Sequence, residues 1–212
     1  MKMGVLGSGM VGQALGDKLA GLGHEVMIGT RHPEKLSGWH ASHMNIGIGS
    51  FTQAAGHGEL VFNATNGAAS LEALGMAGES NLNGKVLIDV SNPLDFSKGF
   101  PPSLTICNTD SLGEQIQRAF PKARVVKTLN TVNCNVMVNP GQVAGGDHHL
   151  FVSGNDQKAK SQVVDLLKAF GWIHIIDLGD LTTARGVEMY LLLWVRLFGR
   201  LDTGLFNIKI MQ

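Results

Sequence analysis

The decisive stretch is Met3-Gly4-Val5-Leu6-Gly7-Ser8-Gly9-Met10-Val11-Gly12. The apolar run to Leu6 predicts a strand, and Gly7 to Gly12 has the G-x-G-x-x-G spacing of a dinucleotide-binding βαβ unit. Gly7 is expected to make the tight turn, Gly9 to let backbone approach a pyrophosphate, and Gly12 to let helix pack on strand. Ser8, Met10 and Val11 complete the loop. Phosphates would sit on the helix N-terminus, where unpaired N–H groups and the macrodipole favour negative charge. Val11, Leu15, Leu19 and Leu22 supply the apolar face of that helix, and Glu25 to Ile28 predicts a second strand. At its tip stands Gly29-Thr30-Arg31-His32-Pro33-Glu34-Lys35. An NAD site usually places an Asp or Glu there for the ribose 2′-hydroxyl. Thr30, Arg31 and Lys35 offer a hydroxyl and cations instead, which suit a 2′-phosphate. The expected cofactor is NADP(H).

Working outward, the 212 residues suffice for one large domain, or one with a small appendage. Lys+Arg and Asp+Glu both number 17, so neither a nucleic-acid nor an anionic membrane partner is expected. Cys107 and Cys134 form no metal-type or redox-type pair, which fits a reduced, cytoplasmic compartment. Lys2 before an apolar run looks superficially like a secretion leader, but its glycines belong to the phosphate turn and no cleavage region follows. Val187 to Phe198 is apolar but short, and contains Arg196. It reads as a buried or dimer-interface helix rather than a membrane span. No membrane association is expected, and a homodimer through this C-terminal helix is.

Apolar runs at Asn45–Ile48, Glu59–Thr65, Lys85–Val90 and Ala123–Thr128 predict further strands. Helices are expected at Phe51–Ala55, at Ala69–Met76 and, capped by Asp110, at Ser111–Phe120. This alternation predicts an α/β fold, a Rossmann-type doubly wound parallel sheet over residues 1–135. Residues 136–212 read as a small C-terminal α/β extension. It would hold strands His149–Ser153 and Trp172–Leu178, with a helix between them capped by Asn155-Asp156 and stopped by Gly171. A long apolar helix Thr182–Gly199 and a terminal strand Phe206–Met211 would follow.

Ligands of open α/β sheets bind outside the carboxyl ends of the strands. The loops there are Ala64-Thr65-Asn66-Gly67, Ser91-Asn92-Pro93-Leu94 and Leu129 to Asn135. Asn66, Ser91, Asn92, Asn130 and Thr131 are candidates to bond ribose, carboxamide or substrate. The competing reading is that such residues merely close turns. No catalytic acid or base stands out. Tyr190, the sole tyrosine, lies in the apolar helix, Lys127 lies in a strand and can face either way, and His40 and His43 read as surface residues. His148 and His149 would point to opposite faces of their strand, so no metal site is expected. Hydride transfer between a nicotinamide and a flavin-type ring needs no such group, only stacking at near-attack distance.

These features resemble the NADP-dependent oxidoreductases of the deazaflavin (coenzyme F-420) type. They are also similar to the cytoplasmic reductase domain of six-transmembrane metalloreductases. The likeness rests on Gly4 to Gly9, Gly23-His24-Glu25-Val26, Gly29-Thr30-Arg31, Leu87 to Pro93, Val125-Val126-Lys127, Asp177-Leu178-Gly179 and Thr183-Ala184-Arg185. It implies that Ser8, Gly9, Met10 and Val11 hold phosphates, that Thr30, Arg31 and Lys35 hold the 2′-phosphate, and that Ala64-Thr65-Asn66 and Asn130-Thr131 border the nicotinamide. It implies no catalytic acid or base, and a dimer through the last helix. The chain departs from the metalloreductases in lacking transmembrane segments, and from the deazaflavin enzymes in the loop Ser91 to Leu94. The redox acceptor therefore stays open among FMN, FAD and coenzyme F-420. The alternatives are an imine or carbonyl reductase related to pyrroline-5-carboxylate reductase, and a non-enzymatic NADPH-sensing module.

Overall fold

The computed structural model describes residues 1–211. Its first half runs β1 (Lys2–Leu6), α1 (Met10–Gly21), β2 (Glu25–Gly29), α2 (Ser37–His40), β3 (Ile46–Gly49), α3 (Phe51–His57), β4 (Leu60–Asn63), α4 (Ser70–Ala77), α5 (Glu79–Leu82) and β5 (Val86–Asp89). A two-residue hairpin pair follows, β6 (Leu94–Asp95) and β7 (Ser103–Leu104). The remainder is α6 (Leu112–Ala119), β8 (Arg124–Thr128), α7 (Cys134–Val138), β9 (His149–Gly154), α8 (Gln157–Phe170), β10 (His174–Gly179), α9 (Ala184–Met189) and α10 (Leu191–Leu201).

The main sheet has 8 strands in the order β10-β9-β8-β5-β4-β1-β2-β3. The run β3-β2-β1-β4-β5-β8 is parallel throughout and has the doubly wound Rossmann order. The order in which strands are added reverses between β1 and β4, so a crevice opens where Leu6 and Asn63 end in register. Successive side chains alternate faces. Val5, Phe62, Ile88 and Val126 pack with Leu15 and Leu19 of α1 and with Val163 and Leu167 of α8. Their neighbours Leu6, Val61, Leu87 and Val125 pack with α3, α4 and α6 on the other side. Burial on both faces is what makes these strands continuously apolar.

Residues 136–212 supply β9 and β10 to this same sheet, β9 lying antiparallel on β8 and β10 parallel on β9. The expected helix Thr182–Gly199 is divided. After a 3-10 turn at Leu181–Thr183, α9 and α10 meet at Tyr190, whose carbonyl accepts from both Leu193 N–H and Trp194 N–H. That doubled acceptance tightens one turn and separates the helices, and the left-handed Asp202 ends α10. The expected terminal strand Phe206–Met211 is also corrected. His149 N–H bonds to Ile208 C=O, but side chains claim the neighbouring backbone groups: Asn207 Nδ2 donates to His149 C=O and Ile210 N–H to His149 Nδ1. One rung without a ladder leaves the tail irregular. Asp110 is not the cap of α6. Ser111 accepts from Glu114 N–H, while Asp110 turns to Arg118 and Gln115. Asp156 and Gly171 do bound α8 as the sequence suggests. Among the described residues, no helix is long and apolar enough to cross a membrane.

The glycine turn is one of the tightest joints. A Cβ on Gly12 would lie 1.9 Å from Gly7 O. Gly12→Ala is expected to push α1 off the sheet and cost about 2–3 kcal/mol, measured as a lowered urea midpoint.

Candidate functional site

Two adjoining cavities lie along the carboxyl ends of β1, β2, β4, β5 and β8, sharing Ala64, Thr65 and Asn66 as a common wall. The first, of about 290 Å³, brings together Gly7, Ser8, Gly9, Thr30, Arg31 and Lys35. Gly7 adopts φ +118°, and a Cβ there would lie 2.4 Å from Ala64 O, so only glycine permits the turn. Nothing stands within 4 Å of the position a Gly9 Cβ would take, so backbone is bare toward the crevice at that point. Helix α1 begins there with no side-chain cap and no acidic residue in its first turn. Its orphan N–H groups and dipole therefore remain available to an anion.

Thr30 is buried at the tip of β2. Its hydroxyl accepts from Ser8 Oγ at 2.9 Å and from His32 N–H at 3.2 Å, tying the glycine loop to the basic tip. Arg31 and Lys35 are exposed on the cleft and make no ion pair among the described residues. His32 is engaged by Glu34, with Nδ1–Oε1 at 3.2 Å. Glu72 is the one acidic side chain lining this cleft among the described residues.

The second cavity, of about 520 Å³, is lined by Met10, Val11, Val90, Leu94, Phe96, Val132, Met137, Leu191 and Trp194, interleaved with Asn66, Ser91, Asn92, Asn130 and Asn133. Among the described residues no carboxylate, ammonium, guanidinium or imidazole lines it, and the Cys134 thiol is its one ionisable side chain. Asn92 and Asn130 brace each other: Asn92 Nδ2 donates to Asn130 C=O and Asn130 Nδ2 to Asn92 Oδ1, at 2.9 and 3.0 Å. Three of the expected residues lie outside both cavities. Gly12 packs against Gly7. Pro93 lends its carbonyl to Thr105. Thr131 is 1% exposed, with a hydroxyl lacking any partner.

Sequence reasoning left Lys127 undecided and passed over its partners. Lys127 is wholly buried, with Nζ 2.8 Å from both Asp89 Oδ2 and Glu188 Oε1. Burial disfavours its ammonium, but the two carboxylates outweigh that and hold its pKa above the ordinary lysine value. Glu188 also accepts from Leu112 N–H and Gly113 N–H at the start of α6. The available signal was three charges in apolar contexts, one at a strand end, one inside a strand and one in an apolar helix, since unpaired buried charges are not tolerated. Of the histidines, His148 is buried edge-on to Trp172, while His149 faces the tail and His174.

Lys127→Met strands two buried carboxylates without their cation. A loss of about 3–5 kcal/mol is expected in equilibrium urea unfolding. The triple change Asp89→Asn, Lys127→Met, Glu188→Gln should recover part of it.

The geometry has counterparts. Residues 2–93 match the family model described as NADP oxidoreductase, coenzyme F420-dependent. A solved structure from Arthrobacter sp. FB24, of a candidate F420-dependent NADP reductase, superposes with TM-score 0.98 at 55% identity over 100% of both chains. Metalloreductase STEAP3 of Rattus norvegicus is 28% identical over 188 residues, 88% of this chain and 36% of that protein. The F420-dependent NADP reductase of Methanocaldococcus jannaschii is 29% identical over 115 residues, 52% of this chain and 49% of its own. The chain thus spans between about a third and a half of these curated relatives. With full-length likeness to one solved structure and a family match across the glycine turn, the basic tip and the β5 loop, the chain belongs to the coenzyme F420-dependent NADP oxidoreductase family.

Proposed function

We propose that the chain is an NADP-dependent oxidoreductase, passing hydride between NADP(H) and a flavin or deazaflavin ring. The observation that carries this reading is the first cleft, where an uncapped, carboxylate-free helix start faces the same space as Arg31 and Lys35. Ser8, Gly9, Met10 and Val11 would take the pyrophosphate, and Thr30, Arg31 and Lys35 the 2′-phosphate. Bound NADPH supplies the hydride. The task left to the protein is orientation, and the second cavity is built for it, with apolar walls for a flat ring and amides at fixed places. Val90, Val132, Met137 and Leu191 offer that space apolar surface against which a ring can pack. A wall whose one ionisable side chain among the described residues is the Cys134 thiol, with no His, Lys, Tyr or carboxylate, supports a ring acceptor over a ketone or alcohol, whose reduction needs a proton donor. FMN, FAD and coenzyme F-420 all meet that description.

A homodimer belongs to the same proposal. Leu192, Leu193, Phe198 and Leu201 of α10 are exposed apolar groups, and several exposed apolar side chains on one helix suit an interaction surface. The free cysteines Cys107 and Cys134 accord with a reducing, cytoplasmic setting.

NADPH oxidation with FMN, FAD and a deazaflavin as acceptors tests the activity. Turnover with at least one is expected, and tight NADPH binding without turnover of any would favour the sensor alternative. Arg31→Glu should weaken NADPH binding by about 1.5–3 kcal/mol while leaving NADH nearly untouched. Equal losses for both would remove the assigned 2′-phosphate role. In sedimentation equilibrium, the wild type is expected at twice the chain mass and Leu193→Glu at the chain mass.

A further inference from the structure

We propose that Asp89 and Lys127 are positioning residues, which fix the polar wall of the second cavity and so the angle of the ring it receives. The inference rests on the NADP(H) reading above.

Asn63, Asp89 and Lys127 are register neighbours on β4, β5 and β8, and their side chains join into one buried row. Asp89 Oδ1 accepts from Asn63 Nδ2 at 2.9 Å, Ser91 N–H at 3.2 Å and Ser91 Oγ at 2.6 Å. Lys127 Nζ bonds to Asp89 Oδ2 at 2.8 Å and to Ser91 C=O at 2.6 Å. Ser91 is therefore held at its amide, its hydroxyl and its carbonyl. On the other side, Asn63 Oδ1 accepts from Thr65 Oγ1 at 2.7 Å, and that hydroxyl also meets Ser70 Oγ at 2.9 Å. Ser91 and Thr65 both line the second cavity, whereas Asp89 and Lys127 do not.

The same row reaches the opposite wall. Glu188 binds Lys127, and the carbonyl of the preceding Val187 accepts from Asn130 Nδ2 at 3.0 Å. Asn130 is the partner of Asn92. Three residues beyond Glu188, α10 begins at Leu191 and places Trp194 across the cavity. The cavity's polar residues on three loops, and the helix facing them, thus converge on one buried ammonium. Charge-assisted bonds in a low dielectric are stiff and mutually reinforcing. A group held charged by two carboxylates is a poor proton donor, so the row serves geometry. A misplacement of about 1 Å can cost about 100-fold in rate where transfer depends on near-attack contact.

Two variants test this. Asp89→Asn keeps the shape and leaves Lys127 paired with Glu188, and Ser91→Ala removes only the hydroxyl. Three quantities are read on the full chain: the NADPH dissociation constant, the fluorescence anisotropy decay of the bound reduced nicotinamide, and the single-turnover rate with FMN, FAD or deazaflavin. For Asp89→Asn, at a position that lines neither cavity, we expect an NADPH dissociation constant within about twofold of wild type, because the phosphates are held in the first cleft. In both variants a fast local motion should appear in the anisotropy decay, and the transfer rate should fall by about 10- to 100-fold. Wild-type anisotropy and rate in both variants would overturn the positioning role alone. Failure of the wild type to bind NADPH would overturn the functional reading and this inference with it. If the wild type binds NADPH but reduces none of the acceptors, the anisotropy decay decides. If Asp89→Asn does not fold, Ser91→Ala decides.

Discussion

Backbone meets backbone at the carboxyl end of β1, and the rest of the molecule is arranged around that contact. The turn at Gly7 passes so near Ala64 that a single methyl on the glycine would collide with a carbonyl, and Gly12 folds back against Gly7 just as closely. These approaches bring β1, β4 and α1 to a common point. They also leave the first N–H groups of α1 facing the crevice with nothing of their own to bind. The strand order reverses here, so this packing contact stands at the mouth of the crevice.

Beside this backbone-made turn stands a different kind of construction. The second cavity owes its shape to side chains, and its polar members are anchored from behind by charges that never reach the surface. Burying Asp89, Lys127 and Glu188 is costly unless each is paired and hydrogen-bonded. The register of β4, β5 and β8 supplies the pairing, and the start of α6 supplies two further N–H donors to Glu188. The cation and its carboxylates thus bind sheet, α6 and α9 together at one place.

Much of this was legible in the residues, for identifiable reasons. Glycine spacing, two-sided apolar strands and capping residues such as Asp156 act over short stretches, so Gly7 to Lys35 and the parallel strands read directly. What acts across distance did not. Asp110 looked like a cap until Ser111 took that place and Arg118 claimed the aspartate. The tail beyond Phe206 has a strand's composition, yet Asn207 and His149 spend the bonds a ladder would need. Tyr190 divides an apolar run whose periodicity gives no sign of the break. The partners of Lys127 come from positions 38 and 61 residues away in opposite directions, which spacing alone does not disclose. Thr131 and Pro93 lie in the right loops but face away from both cavities, because loop membership does not set side-chain direction.

The antiparallel step from β8 to β9 has a consequence for how such a protein can change over generations. It turns the chain around, so that after β10 the last helices climb back to the crevice and close the second cavity with Leu191 and Trp194. Among the described residues, the first cleft is lined by residues from Gly7 to Met76. The second cavity shares part of that stretch and adds residues as distant in sequence as Leu191 and Trp194. Substitution in α10 can therefore reshape the second cavity while the lining of the first is inherited intact.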